Sequence, residues 1–172
     1  MKKSVTKFGL IGAGIMGVLA LIPIMFNSGE PDFKWGQVIG YASMIIALST
    51  VFLGIKSYRD NHQAGIISFG KAFQVGILIS LFACAIYVIV WMLYLTTDSG
   101  MEMMDKYMAY SIEQMETQGA SASELQAHRD KMESFNEMYK NPLVRIGFTL
   151  LEILPVSLII TLISSLILKR GK

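Results

Sequence analysis

One carboxylate stands where carboxylates are costly. Glu152 is the only acid in the apolar stretch Leu143–Leu168. A charge deep in a bilayer costs several kcal/mol, so an acid there is a candidate for function by default. Its depth tempers that reading. If the hydrocarbon core begins near Phe148, Glu152 lies four residues, about 6 Å, below the boundary. At that depth its carboxyl can hydrogen-bond near the interface or stay protonated. Pro155 follows three residues later. It lacks an amide donor, frees the Leu151 carbonyl, and predicts a kink beside the acid. Pro23 frees Leu19 in the same way. Arg145 lies two turns above Glu152 on the same helical face, too far for a direct pair. Three roles stay open for Glu152: a structural or interfacial acid, a proton or ion site, and a contact with a partner helix.

Other chemistry is sparse. The two histidines, His62 and His128, fall in separate polar segments, and no Ser-His-Asp or Cys-His pairing, HExxH or P-loop pattern occurs. Thioethers with a histidine suit Cu(I), and His128 lies one turn from Met132, but methionine at helical spacing is first of all an adaptable core filler. No metal and no cofactor is expected. Gly12-Ala13-Gly14-Ile15-Met16-Gly17 fits GxGxxG. No strand precedes it and its helix is apolar throughout, so no free helix N-terminus awaits a pyrophosphate. Cys84, the single cysteine, sits in an apolar run and reads as a small packing residue.

These residues are carried by long apolar blocks. The chain is 53% hydrophobic and 16% charged, where a soluble domain holds about a quarter charged residues. Stretches at about 8–26, 35–55, 72–95 and 143–168 are each long enough to cross a bilayer as a helix. Strict alternation is absent, which argues against a barrel. The run following Lys2 and Lys3 is too long for a secretory signal and lacks a small-x-small cleavage site, so it reads as an uncleaved anchor.

Charge sets the orientation. Nine basic residues flank one side: Lys2, Lys3, Lys7, Lys56, Arg59, Lys71, Lys169, Arg170 and Lys172, against one acid, Asp60. The other side holds six basic residues and eleven acids. The excess of Lys and Arg predicts both termini in the cytoplasm. No basic aromatic stripe or nucleic-acid motif accompanies it, so the expected partner is the lipid bilayer and not nucleic acid.

Lipid supplies no hydrophobic drive between helices, so close packing of small residues must hold a bundle together. Gly9, Ala13 and Gly17 form one such face, Gly36, Gly40, Ser43 and Ala47 a second, and Gly76, Ser80 and Ala83 a third. They predict contacts within the bundle, with a homodimer seam as the alternative. A weak internal echo, Phe8-Gly9 against Phe69-Gly70, suggests duplicated hairpins, although apolar low complexity produces the same likeness.

About 47 residues separate the third and fourth stretches, too many for a structureless loop. Ser99 with Glu102, and Ser121 with Glu124, are capping-box signatures. Gly119-Ala120 reads as a turn, and Asn141-Pro142 leads into the last span. Met104, Met108 and Met115 form a helical stripe, repeated by Leu125, Met132 and Phe135. The pattern predicts an antiparallel amphipathic hairpin over about 99–140, outside the membrane, either continuing the spans upward or lying on the headgroups.

The segment Gly54-Ile55-Lys56-Ser57-Tyr58-Arg59-Asp60 followed by Ile67-Ser68-Phe69-Gly70-Lys71-Ala72-Phe73 reads as a cytoplasmic loop. Tyr58 and Phe69 are expected at headgroup level, and Lys56, Arg59 and Lys71 near phosphates. Asp60 is a partner for Arg59 or Lys71, and Gly65 and Gly70 permit a tight re-entry. A docking site for a cytoplasmic partner is the alternative reading. This segment resembles a family of small bacterial membrane proteins catalogued as domain of unknown function 4199, and the likeness extends over nearly the whole chain. The resemblance implies a bacterial inner-membrane protein and brings no activity, ligand or catalytic residue.

The expected fold is all-α and integral to the membrane: four transmembrane helices with an extracytoplasmic helical hairpin between the third and fourth. The expected function is non-enzymatic, an interaction or envelope-complex module with a protein partner or a second copy. The alternative is a small transporter or channel subunit using Glu152 beside Pro155.

Overall fold

The computed structural model describes residues 1–26 and 33–170. The connection 27–32, with Glu30 and Asp32, lies outside them, as do Lys172 and the side chains of Pro23 and Met101. Six helices follow in order: α1 (Lys2–Phe26), α2 (Phe33–His62), α3 (Phe69–Tyr94), α4 (Asp98–Thr117), α5 (Ala122–Tyr139) and α6 (Pro142–Leu168). α2, α3, α6 and the Lys2–Ile22 part of α1 are long and apolar enough to cross a membrane. This is the expected all-helical bundle with four membrane-like helices, and α4 and α5 form the hairpin between the last two.

α2 and α3 occupy the middle of the bundle, and each packs against both α1 and α6. The buried core is gathered at the end that carries both termini. Val5 and Met16 from α1, Met44 to Tyr58 from α2, Ala72 to Cys84 from α3, and Ile153 to Leu168 from α6 supply it. Toward the other end α2 has no buried residue before Met44. Among the described residues, α2 is packed tightly at the end that carries the termini and loosely before Met44.

Small residues explain the tight end. A Cβ on Gly76 would lie 2.7 Å from Thr161 Cγ2 and 3.0 Å from Ile55 Cδ1, so α3 meets α6 and α2 there. One on Gly54 would lie 3.0 Å from Phe8 Cβ and overlap Ile79. Gly9 faces Phe82 and Gly12 faces Thr50 in the same manner. The expected small-residue contacts therefore hold for α1 and α3. They do not hold for the start of α2, where Gly36 and Gly40 have nothing within 4 Å of a built Cβ. Buried hydroxyls along the seams turn back on their own helices: Thr50 to Ala47 O, Ser80 to Gly76 O, Ser157 to Leu154 O and Ser165 to Thr161 O. Such bonds satisfy a donor without a partner helix. Among the described residues, Thr161 Oγ1 is the buried side-chain oxygen left unbonded.

Helix ends follow local chemistry. Asn141 caps α6, accepting from Leu143 N at 2.9 Å, with Pro142 in the first turn where its missing donor is harmless. Ser121 and Glu124 form the expected capping box on α5. α4 differs from expectation. Its cap is Thr97, whose hydroxyl accepts from Gly100 N, and Ser99 lies inside the helix. Glu102 instead approaches Lys106 at 3.7 Å. Gly119, at φ +82°, ends α4 in the left-handed region, with Gly119 N–H to Glu116 O and Ala120 N–H to Met115 O.

Candidate functional site

The residues singled out by sequence fall into three places, and the first is the end of the α3–α6 seam away from the termini. The Tyr87 hydroxyl of α3 donates to Glu152 Oε2 of α6 at 3.1 Å. One turn along α3, Trp91 Nε1–H donates to the Tyr139 hydroxyl at 2.9 Å, which ties the end of α5 to the bundle. Tyr139 also stacks near Phe135 at 5.3 Å, and Phe135 meets Phe148 of α6 edge-on at 5.1 Å. α3 and α6 thus meet at this carboxyl group, and α5 joins α3 one turn further along.

Arg145 does not serve Glu152. Its Nε–H donates to the Tyr139 carbonyl, and its guanidinium lies over the Tyr139 ring at 5.7 Å. That arrangement combines a bond to the last carbonyls of α5 with a cation–π contact. Pro155 sits within an α6 that stays helical from Pro142 to Leu168. Glu152 itself lies on the exposed flank of α6, near Leu151 and Pro155. Sequence reasoning found the acid but missed its surroundings. Tyr87 and Trp91 one turn apart were the available signal, and only the packing of α3 on α6 gave it meaning.

The second place is the end that carries the termini. Lys56, Tyr58, Arg59 and Asp60 belong to the last two turns of α2, not to a loop. The helix outlasts its apolar stretch because no breaker intervenes before Ala64 (φ +48°) and Gly65 (φ +81°). Arg59 is buried, contrary to the expected phosphate contact. Its Nε–H donates to Asp60 Oδ1 at 2.7 Å, and its Nη1–H donates to the Leu168 carbonyl at 3.3 Å. It therefore caps the C-terminus of α6, where a cation meets unpaired carbonyls and the negative end of the helix dipole. Arg170 N–H adds a bond to Ile67 O at 3.0 Å, so the tail pairs with the α2–α3 connection. Tyr58 is also buried, stacks on His62 at 5.5 Å, and accepts from Gln63 Nε2. Phe69 stacks on Phe73 at 5.8 Å, and Lys71 reaches Gln74 at 2.9 Å. Ser68 caps α3, and Gly70 lies in its first turn, so the re-entry is made by Ala64 and Gly65 and not by Gly70.

The third place is the hairpin. Met104, Met108, Met115, Met132 and Phe135 are all half-buried along its seam. Ser111 Oγ and His128 Nε2 meet across it at 3.1 Å, and Arg129 approaches Glu116 at 3.9 Å. α5 has no fully buried residue. Phe33, first in α2, packs on Tyr107 and Tyr110 at 5.4 and 5.2 Å. Those tyrosines lie well along α4, so α4 leans back over the start of α2 instead of continuing α3 upward. An open depression of about 390 Å³ between α4 and Arg129 of α5 is lined by Met108, Ala109, Ile112, Asp105, Glu113, Glu116 and Arg129. Among the described residues no group of three or more His, Cys, Asp or Glu could hold a metal ion.

The chain belongs to the DUF4199 family, proteins of unknown function, whose family model matches residues 7–170. No curated protein and no solved structure matches it.

Proposed function

We propose that this DUF4199 protein is a non-enzymatic module of the bacterial inner membrane, with both termini cytoplasmic and the hairpin outside, where it engages a protein partner. The observation that carries the reading is the hairpin's thin core. α5 buries no residue completely, and the depression beside α4 is lined by Met108, Ala109 and Ile112 together with three acids and Arg129. An amphipathic pair whose apolar stripe stays half-buried, with Tyr107 and Met138 exposed beside it, is suited to a second protein. Its placement is firm nonetheless, since Trp91–Tyr139, Phe135–Phe148 and Phe33–Tyr107 fasten it to the bundle. The excess of Lys and Arg at the termini end supports the orientation.

Native mass spectrometry of the protein extracted gently from its own membrane tests this. The expected result is a stoichiometric protein partner, lost in Met108→Asp and Ile112→Asp and retained in Glu152→Gln. A self-oligomer that keeps its composition in the hairpin variants would sink the reading.

The Tyr87–Glu152 bond favours a second reading, a small transporter or channel subunit. Intramembrane acids recur in ion and proton pathways. This reading expects flux in proteoliposomes that Glu152→Gln abolishes at unchanged protein level.

A further inference from the structure

The depression beside α4 follows one face of the helix. Asp105, Met108, Ala109, Ile112, Glu113 and Glu116 succeed one another in steps of three and four residues, and Arg129 of α5 completes the lining. Asp105 and Glu116 are eleven residues apart, about 16 Å along the axis. On a helix of about 3.6 residues per turn, this face lies opposite Tyr107 and Tyr110, which meet Phe33 of α2. The groove is therefore turned away from the α2 contact and toward a second molecule. At about 390 Å³ it takes a few side chains. An open groove three turns long suits an amphipathic helix, which lays its apolar face into it.

Charge selects the occupant. Glu116 lies 3.9 Å from Arg129. Asp105 and Glu113 are exposed, and neither enters an ion pair among the described residues. They stand eight residues apart, about 12 Å, with Met108, Ala109 and Ile112 between them. Residues 98–140 as a whole hold nine Asp and Glu against four Lys and Arg. A second copy would bring the same acidic hairpin, and like charges set face to face oppose an interface. Anionic headgroups are repelled for the same reason. A bare metal ion is no better served, since among the described residues no group of three or more His, Cys, Asp or Glu could hold one. The lining fits a segment that carries apolar side chains between cations.

We infer that the partner docks a basic amphipathic helix in this groove. Two apolar residues one turn apart lie against Met108, Ala109 and Ile112, and a Lys or Arg reaches each of Asp105 and Glu113. The inference rests on the partner reading above and gives the chemistry of the segment that the hairpin receives. The apolar contacts supply the buried area, and the paired charges fix register and exclude acidic segments.

Fluorescence anisotropy of a labelled synthetic peptide with the full-length protein, in nonionic detergent at about 0.15 M salt, tests it. The probe is a capped helix of about four turns, with two leucines one turn apart and two lysines about two turns apart on the same face. Saturable binding of one peptide per chain is expected, and none of the same peptide with glutamates in place of the lysines. Glu113→Lys is expected to weaken the lysine peptide by about tenfold, the equivalent of about 1.4 kcal/mol, and to bind the glutamate peptide. Ala109→Trp fills the groove from an exposed position and is expected to weaken binding by a similar factor. Asp130 is exposed and outside the lining, and Asp130→Lys, the same change of charge, is expected to alter binding by less than about twofold. No saturable binding in the wild type, equal binding of the two peptides, or a Glu113→Lys indistinguishable from Asp130→Lys would each overturn the inference. The two-peptide comparison needs no variant, so it decides even if a variant fails to fold. Native mass spectrometry separates the inference from the reading beneath it. A partner that leaves Met108→Asp but stays on Glu113→Lys overturns the basic helix and keeps the partner, whereas a chain that holds no partner removes both.

Discussion

At the residue scale, two side chains carry roles that their types alone do not announce. Arg59 is one basic residue among nine at its end of the molecule, yet it is buried and bonded to the last carbonyl of α6. Arg59→Ala removes that cap and leaves Asp60 without its partner. Hydrogen bonds to charged groups contribute about 1.5–3 kcal/mol, so the end of α6 should fray. Trypsin cleavage after Lys169 and Arg170 should accelerate by about tenfold or more in this variant. An unaltered cleavage rate would show that the cap does not hold the tail. Tyr87 is the second case. Tyr87→Phe deletes the one donor to Glu152 and should destabilise the protein by about 1–3 kcal/mol. In a Glu152→Leu background the same change should cost much less, and thermal unfolding of the four proteins reads the coupling. Strict additivity would mean that the bond contributes nothing.

At the element scale, caps and glycines decide where helices start and stop. Ser121 accepts from Glu124 N at 3.4 Å, and Glu124 Oε2 accepts from the Ser121 hydroxyl and amide at 2.7 and 2.8 Å. Those bonds, the hydroxyl first and the amide second, hold the Glu124 carboxyl below its ordinary value of 4.5. A depressed carboxyl contributes stability that is fully present above 4.5 and lost as pH falls through the lower folded value. Hairpin helicity, followed by circular dichroism, should therefore decline on acidification below that range, and less so in Glu124→Gln. Gly119 sits at φ +82°, where a Cβ is disfavoured by about 1–2 kcal/mol. Gly119→Val should shorten α4 or open the hairpin. Much of this was legible in the sequence, since Ser121, Glu124, Gly119, Asn141 and Pro142 act within a few residues of themselves. The true cap of α4 was not, because Thr97 and Ser99 offer similar hydroxyls. The sharp turn from α3 chooses between them: a Cβ on Gly100 would collide with the Tyr94 carbonyl.

At the scale of the whole molecule, the described core is gathered at the end that carries the termini, and α2 buries nothing before Met44. Gly54 shows why the core end tolerates no bulk: a Cβ there reaches Phe8 Cβ at 3.0 Å and overlaps Ile79. Gly54→Leu should cost about 1–3 kcal/mol or more by forcing α1 and α3 away from α2, and a detergent melt would reveal it. The native Cys84 is buried, which leaves the thiol background low for topology mapping. Gln118→Cys should react with an impermeant maleimide in intact cells, and Asn61→Cys only after permeabilisation; the reverse pattern would invert the orientation. The sequence by itself determined four apolar helices and an amphipathic hairpin, because periodicity, composition and charge act locally and survive without knowledge of neighbours, and the motif over residues 54–73 carried the resemblance to the family. Only the tertiary structure decided that Arg59 is a cap and not a lipid anchor, that Gly76 is a contact and Gly40 is not, and that Glu152 faces Tyr87. Each of those depends on which helix lies opposite, and in a bundle held by small residues and a few hydrogen bonds that choice is made between elements, where no spacing along one chain segment records it.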